Sequence, residues 1–307
     1  MNHHIILSSI LYLESVVAML QQLVNGLILG SVYALLALGY TMVYGIIKLI
    51  NFAHGDIYMM GAFMGYFLIN FLHLNFFLAL IFAMIGTAAL GVLVEFLAYR
   101  PLRNSTRIAA LITAIGVSYL LENGVQLLLG ADAKVVPSII DLGTVQVFGS
   151  TLSGTALLTV AVTIVATVVL TLLVQKTRLG KAMRAVSEDM GAARLMGVNV
   201  NSTISFTFAV GSALAGIAAI LYSMAYQQVS PTMGVMLGTK AFVAAVLGGI
   251  GSIPGAVIGG LIVGFSEVFV AAFGLSVWQD AVVFLLLILV LVVKPTGLLG
   301  RPVTEKV

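Results

Sequence analysis

The sequence contains no cysteine, which excludes disulfides, thiolate metal centres and a cysteine nucleophile. Charge is nearly as scarce. Lys and Arg number 14 and Asp and Glu 11, together 8% of 307 residues, whereas a water-soluble domain needs roughly 25% to cover its surface. A soluble enzyme and a nucleic-acid-binding domain are both excluded on that ground. No G-x-x-x-x-G-K-(S/T) phosphate loop occurs, so the chain has no evident means of binding and hydrolysing ATP itself. The opening MNHHIILSSILYLESVVAML lacks a basic n-region and a small-residue cleavage site, and no signal peptide is expected.

What the chain has in abundance is apolar surface. Hydrophobic residues make up 61%, and 32 glycines suit tightly packed or broken membrane helices. Apolar segments run at about 16–40, 52–72, 76–99, 108–130, 154–175, 201–225, 239–250, 254–273 and 279–293. Several reach the roughly 20 residues that cross a bilayer core. This predicts an all-α, polytopic integral membrane protein of about eight to nine transmembrane helices, one domain over 1–307. The seventh segment is too short to cross comfortably. It ends in LGGIGSIPG, where Gly248, Gly249 and Gly251 mark a broken or short helix.

The few charges are placed unevenly. If the segments alternate, Lys48, Arg100, Arg103, Arg107, Lys176, Arg178, Lys181, Arg184, Arg194, Lys294, Arg301 and Lys306 share one side. The other side holds Lys134 with Asp132, Asp141 and Asp280, and Lys240 sits at an edge. The positive-inside rule makes the basic side cytoplasmic, with the amino terminus periplasmic and the carboxyl terminus cytoplasmic. Two stretches also resemble each other, ALGYTMVY at 37–44 and AILYSMAY at 219–226. Both end an apolar segment, and on the alternation above they run in opposite directions. An inverted repeat with broken helices is expected, a common way to build an alternating-access pathway.

Against this background the stretch GKAMRAVSEDMGAARLMGVN, residues 180–199, stands out as polar. Ala182, Val186, Met190 and Ala193 recur at helical spacing on one face, with Lys181, Arg184 and Glu188 on another. Thr177 is placed to cap the start and Gly197 the end. Such a helix could lie solvated on the membrane surface, anchor in lipid, or dock into a groove. A lipid anchor would carry bulky Trp, Phe or Leu opposite Lys and Arg. Small Ala and Met with mixed charge favour docking on a cytoplasmic partner. With no ATP site in the chain, a motor driving transport would be that partner.

Polar residues inside apolar segments have two readings each. Asn51, His54 and Asp56 fall at the start of the second segment. There Asn51 could cap and Asp56 favour the helix dipole, or the group could form a structural break or proton relay beside a pathway. Glu95 is expected to reach the interface near Arg100, and Glu267 lies near an outer end. Glu122, beside Asn123 and Gln126, faces another helix through a hydrogen bond or lines a pore. His73 has no second ligand at usable spacing, and no metal site is expected. The Asn-Ser-Thr triplets at 104 and 201 fall on the side read as cytoplasmic, so no glycan is expected there. GxxxG pairs at Gly26/Gly30, Gly61/Gly65, Gly255/Gly259 and Gly260/Gly264 permit close helix contact.

Six blocks in order carry a family resemblance: GYTMVYGIIKLINFAHGD (39–56), AYRPLR (98–103), LITAIG (111–116), GKAMRAVSEDMGAARLMGVN (180–199), KAFVAAVLGGIGSIPGAVIGGLIVG (240–264) and PTGLLGR (295–301). From about residue 20 the chain resembles the LivH-type permease subunits of bacterial ATP-binding-cassette importers for branched-chain amino acids. The first residues, His3 and His4 among them, depart from the family's usual start. The resemblance implies a heteromeric importer in the inner membrane: a second homologous permease, two cytoplasmic ATPases that bind ATP-Mg, and a periplasmic amino-acid-binding protein. This chain would hold no cofactor and do no covalent chemistry. Residues of about 178–199 would form the helix that couples to the ATPase, with Arg184, Glu188, Asp189, Arg194 and Gly197 as contacts. A urea or short-amide permease looks similar, and a stand-alone secondary transporter would also suit an inverted repeat with intramembrane acids.

Overall fold

The computed structural model describes residues 2–103, 105–137, 143–147 and 150–300. Asn104, Asp141, Arg301 and Lys306, named above, lie outside these, as do the side chains of His3, His4 and Arg107. The chain forms α1 (Asn2–Ile47), α2 (His54–Asn70), α3 (Phe76–Val94) running on into a π-helical turn (Glu95–Tyr99), and α4 (Arg107–Leu129). After strands β1 (Lys134–Val135), β2 (Thr144–Val147) and β3 (Ser150–Ser153) come α5 (Gly154–Lys176), α6 (Arg178–Glu188) and α7 (Met190–Leu195). The last part holds α8 (Val200–Tyr226), β4 (Gln228–Val229), α9 (Met233–Gly248), α10 (Ile253–Ala272) and α11 (Gln279–Val293). All nine apolar segments are helices. Among the described residues, seven helical stretches are long and apolar enough to cross a membrane, while α9, at 16 residues, is shorter. It starts at Met233, six residues before the apolar run at 239, because MGVMLG is helical despite its two glycines.

Two quartets with the same neighbours build the bundle. In α1 to α4 and again in α8 to α11, a long helix is followed by a break, a short helix, a third helix and a fourth. The third helices are exchanged between quartets, α10 lying along α1 and α3 along α8. Glycines allow both contacts. Gly26 faces Phe265, Gly30 faces Leu261 and Gly264, and Gly260 lies on the Ala34 backbone, so α1 and α10 are antiparallel. Gly91 meets Ser212, Gly216 meets Thr87, and the Tyr99 ring lies 5.3 Å from that of Phe208, so α3 and α8 are antiparallel too. Gly39 against Gly211 joins the two long helices at the centre. Tyr99, beside Phe208 of α8, also bonds Asn51 just past the end of α1, so the end of α1 lies toward the start of α8 and the two quartets run in opposite directions, the inversion read from the paired Tyr-x-Met-x-Tyr motifs. Between them α5 is an added span whose Thr159, Thr163, Thr167 and Thr171 hydroxyls each donate to the carbonyl four residues back, so none needs water.

The basic residues gather at one end. Lys48 and Arg103 line one small cavity, Arg103 donates to Asn201, and α6 packs on α1 and α8. At the same end the Leu298 and Leu299 amides donate to the Leu247 and Gly248 carbonyls, and Gly251 lies beside Gly45. At the other end β1 pairs antiparallel with β4, joining Lys134 to Val229.

Because a Cβ at Gly260 would fall on the Ala34 backbone while Gly116 has open space, Gly260→Leu should destabilise the bundle by at least about 1–3 kcal/mol. Gly116→Leu should not. Thermal unfolding in detergent distinguishes them.

Candidate functional site

Two regions hold the polar residues: a helical rung at the basic end, and a break in the middle of the bundle. The rung is two helices rather than one. Thr177 caps α6, accepting from the Gly180 amide at 3.0 Å. Asp189 then leaves helical geometry and caps α7, accepting from the Gly191 and Ala192 amides at 2.7 and 2.9 Å. The single helix expected over this stretch is interrupted because a short acid bonds the next turn's amides better than it extends the last one. Gly180, Met183, Val186 and Ala193 are buried toward the bundle. Lys181, Arg184, Glu188, Asp189 and Arg194 are exposed, with Arg184 bonded back to the Val174 carbonyl. Gly197 ends the rung in left-handed geometry at φ +82°. Beside it, Leu195 and Met196 are 89% and 84% exposed.

In the bundle's middle, α2 begins buried, and α9 begins against it with Met233 and Gly234 buried and Val235 and Met236 exposed. His54 lies against Gly39, and Gly55 meets Gly234 and Gly238, so the two helix starts abut. Neither start has a side-chain cap. Asn51 does not cap α2, contrary to one of its two readings. Its Oδ1 accepts from the Tyr99 hydroxyl at 3.0 Å, tying the break to the π turn. His54 is 1% exposed, its ring 4.7 Å from that of Tyr40, with Nε2 unpartnered. Asp56 sits in the first turn, 1% exposed, and its Oδ1 also lacks a partner.

A cavity of about 480 Å³ opens beside these helix starts, between α4 and α9. Tyr40, Phe52, Ser118, Glu122, Thr232, Gly234, Thr239 and Phe242 are among its walls. Glu122 therefore faces the cavity, and its hydrogen-bond donor is Gln126 on its own helix at 3.2 Å rather than a residue of a neighbouring helix. Asn51 and His54 stand behind the wall. Gly248, Gly249 and Gly251 are at the far end of α9, where Gly248 packs on Gly255 and the positive φ of Gly249 and Gly251 turns the chain into α10. Tyr40 belongs to the repeated motif and could have been singled out from it. Ser118, Thr232 and Thr239 gave no signal, being hydroxyls that belong to no recognisable motif.

Two buried acids are paired in ways the spacing did not reveal. Glu95 is 0% exposed, enclosed by protein. It bonds Arg103 and accepts from the Ser205 hydroxyl at 2.6 Å, while Arg100 instead stacks on Phe96. The π turn that starts at Glu95 carries Arg103, not Arg100, over the carboxylate. Near the opposite end, Lys240 bridges Glu267 at 2.5 Å and Asp280 at 2.7 Å, and Tyr33 donates to Glu267 at 2.9 Å. Removing one member of a buried pair strands the other charge. Lys240→Met should cost about 3–5 kcal/mol, and adding Glu267→Gln should recover part of it, as read by unfolding in detergent.

Residues 22–291 match the family described as branched-chain amino acid transport system, permease component. The chain is 46% identical to the high-affinity branched-chain amino acid transport system permease protein BraD of Pseudomonas aeruginosa, over 94% of this chain and 98% of that one. It is 44% identical to LivH of Escherichia coli K12, a protein described in the same words, over 96% and 99%. A probable branched-chain amino acid transport permease of Methanocaldococcus jannaschii is 29% identical over 90% and 91%.

Proposed function

The chain belongs to the family of branched-chain amino acid transport system permease components, and from that membership we propose that it is the membrane-spanning subunit of an ATP-binding-cassette importer for leucine, isoleucine and valine. It works with a second homologous permease, two cytoplasmic ATPases that bind ATP-Mg, and a periplasmic binding protein that delivers the amino acid. The chain itself makes and breaks no covalent bond. The basic end faces the cytoplasm, where Lys and Arg resist translocation.

The observation that carries the coupling role is the rung. Leu195 and Met196 stand exposed beside the glycine turn, on a rung that also exposes Arg184, Glu188, Asp189 and Arg194. Apolar tips framed by charge suit a protein groove rather than water or lipid. The rung also packs on α1 and α8, the two long helices at the centre, so a push on it reaches the bundle core directly. Glu122 lines the pathway, Asn51, His54 and Asp56 form the break beside it, and Gly248, Gly249 and Gly251 form the turn that lets α9 and α10 move as a hairpin.

The absence of cysteine makes the test direct. A single cysteine placed at Leu195 should crosslink to the ATPase in assembled importer. Leu195→Asp should lower uptake about tenfold or more, the scale of a lost apolar anchor, in reconstituted vesicles. Uptake by this chain along an ion gradient with no ATPase present would overturn the reading in favour of a stand-alone transporter. Uptake of urea or short amides, but of no branched-chain amino acid, would reassign the substrate.

A further inference from the structure

The small cavity at the basic end, about 240 Å³ in volume, lies where the end of α1, the turn after the π helix and the start of α4 meet. Lys48, Arg103, Ser105 and Thr106 line it, and no Asp or Glu is part of its wall. The carboxylate that Arg103 does bond, that of Glu95, is fully buried and outside this wall. Of its five N–H donors, the guanidinium gives one to Asn201 and one to Glu95. Lys48 is the less expected member. It follows the last turn of α1 at φ +56°, left-handed geometry that strains a side chain and usually falls to Gly or Asn. Its ammonium group donates to the Gly45 carbonyl at 3.1 Å and has no carboxylate partner among the described residues. Capping α1 therefore uses one of three donors and leaves two. The start of α4 adds to the positive field. Thr106 accepts from the Ala109 amide, and the amides before it have no helical acceptor. Depth follows from the same helix. Exposed apolar side chains begin at Ile108, the first residue of the stretch long and apolar enough to cross a membrane, so the cavity is level with the edge of the hydrocarbon.

We propose that this cavity binds the phosphate of an anionic phospholipid headgroup. Arg103 and Lys48 donate to the phosphate oxygens, with the Ser105 and Thr106 hydroxyls beside them. Basic pockets between helices at a membrane surface suit such headgroups. The volume is below the roughly 300 Å³ at which pockets for whole drug-sized molecules begin, which fits a headgroup whose acyl chains stay in the bilayer. The site lies apart from the pathway and goes beyond the transport reading. It requires only that the basic end lie at a membrane surface.

Binding of dioctanoyl phosphatidylglycerol to the complete importer in detergent, counted by native mass spectrometry, tests the site. Lys48→Gln should weaken the binding of one lipid per copy of this chain about fivefold, the effect of one basic group at a lipid surface. Lys48→Arg should restore it. Lys48→Gly, which suits the left-handed backbone, should weaken binding as much as Lys48→Gln without lowering the unfolding temperature, so that loss of the charge is told apart from loss of the fold. Lys176→Gln, outside the cavity, should leave binding unchanged. Equal binding by the wild type, Lys48→Gln and Lys48→Gly would overturn the site. Inorganic phosphate that displaces the lipid at equal concentration would overturn the lipid as ligand in favour of a free anion. Release of the ATPase from the Lys48→Gln complex, with lipid binding unchanged, would overturn it in favour of a carboxylate of that partner. Each of these outcomes leaves the transport reading intact.

Discussion

A helix that starts inside hydrocarbon exposes amide groups that only protein, or a guest held by protein, can satisfy. Two helix starts without a side-chain cap, those of α2 and α9, abut at one place in the bundle. Gly55, Gly234 and Gly238 are required there because any side chain would drive the two starts apart. The rest of the bundle serves that junction. The long helices α1 and α8 flank it, the exchanged helices α10 and α3 brace them, and α4 closes one wall around a cavity.

The same inversion that places the junction also distributes the buried charge. Each third helix carries one acid, Glu95 on the π turn continuing α3 and Glu267 on α10, and each acid is matched by a base, Arg103 or Lys240. One pair lies at the basic end and ties the π turn to the start of α8 through Ser205. The other lies toward the opposite end and ties α9, α10 and α11 together. Such pairs add little net stability compared with apolar packing, but a mispaired arrangement would strand a charge in a low dielectric. Their value here lies in fixing which helices meet.

Much of this was legible before any coordinates. Nine apolar runs all proved helical, the one-sided placement of Lys and Arg matches one end of the bundle, and two five-residue motifs marked the ends of α1 and α8. Hydropathy reports these directly because lipid imposes it on whole segments. What it missed depends on single side chains. Nothing in EFLAYRPLR says that a π turn will bring Arg103 rather than Arg100 to Glu95. Nothing in SEDMG says that Asp189 will cap a new helix and break the rung in two. Asn51 looked like a cap because of its type, yet Tyr99, distant in sequence, takes its oxygen. Glu122 was visible as an interior acid, but the hydroxyls that share its cavity were not.

The exchange of third helices has a consequence for how the protein is made. The glycine face of α1 is finished only when α10 lies along it, and α10 is made after the whole first quartet and α8. During synthesis, therefore, the glycine face of α1 lacks this covering helix until α10 is made. A chain stalled after α8 carries that face open to whatever surveys unfinished membrane proteins. The exchanged contacts of the first quartet, α1 with α10 and α3 with α8, both await the second.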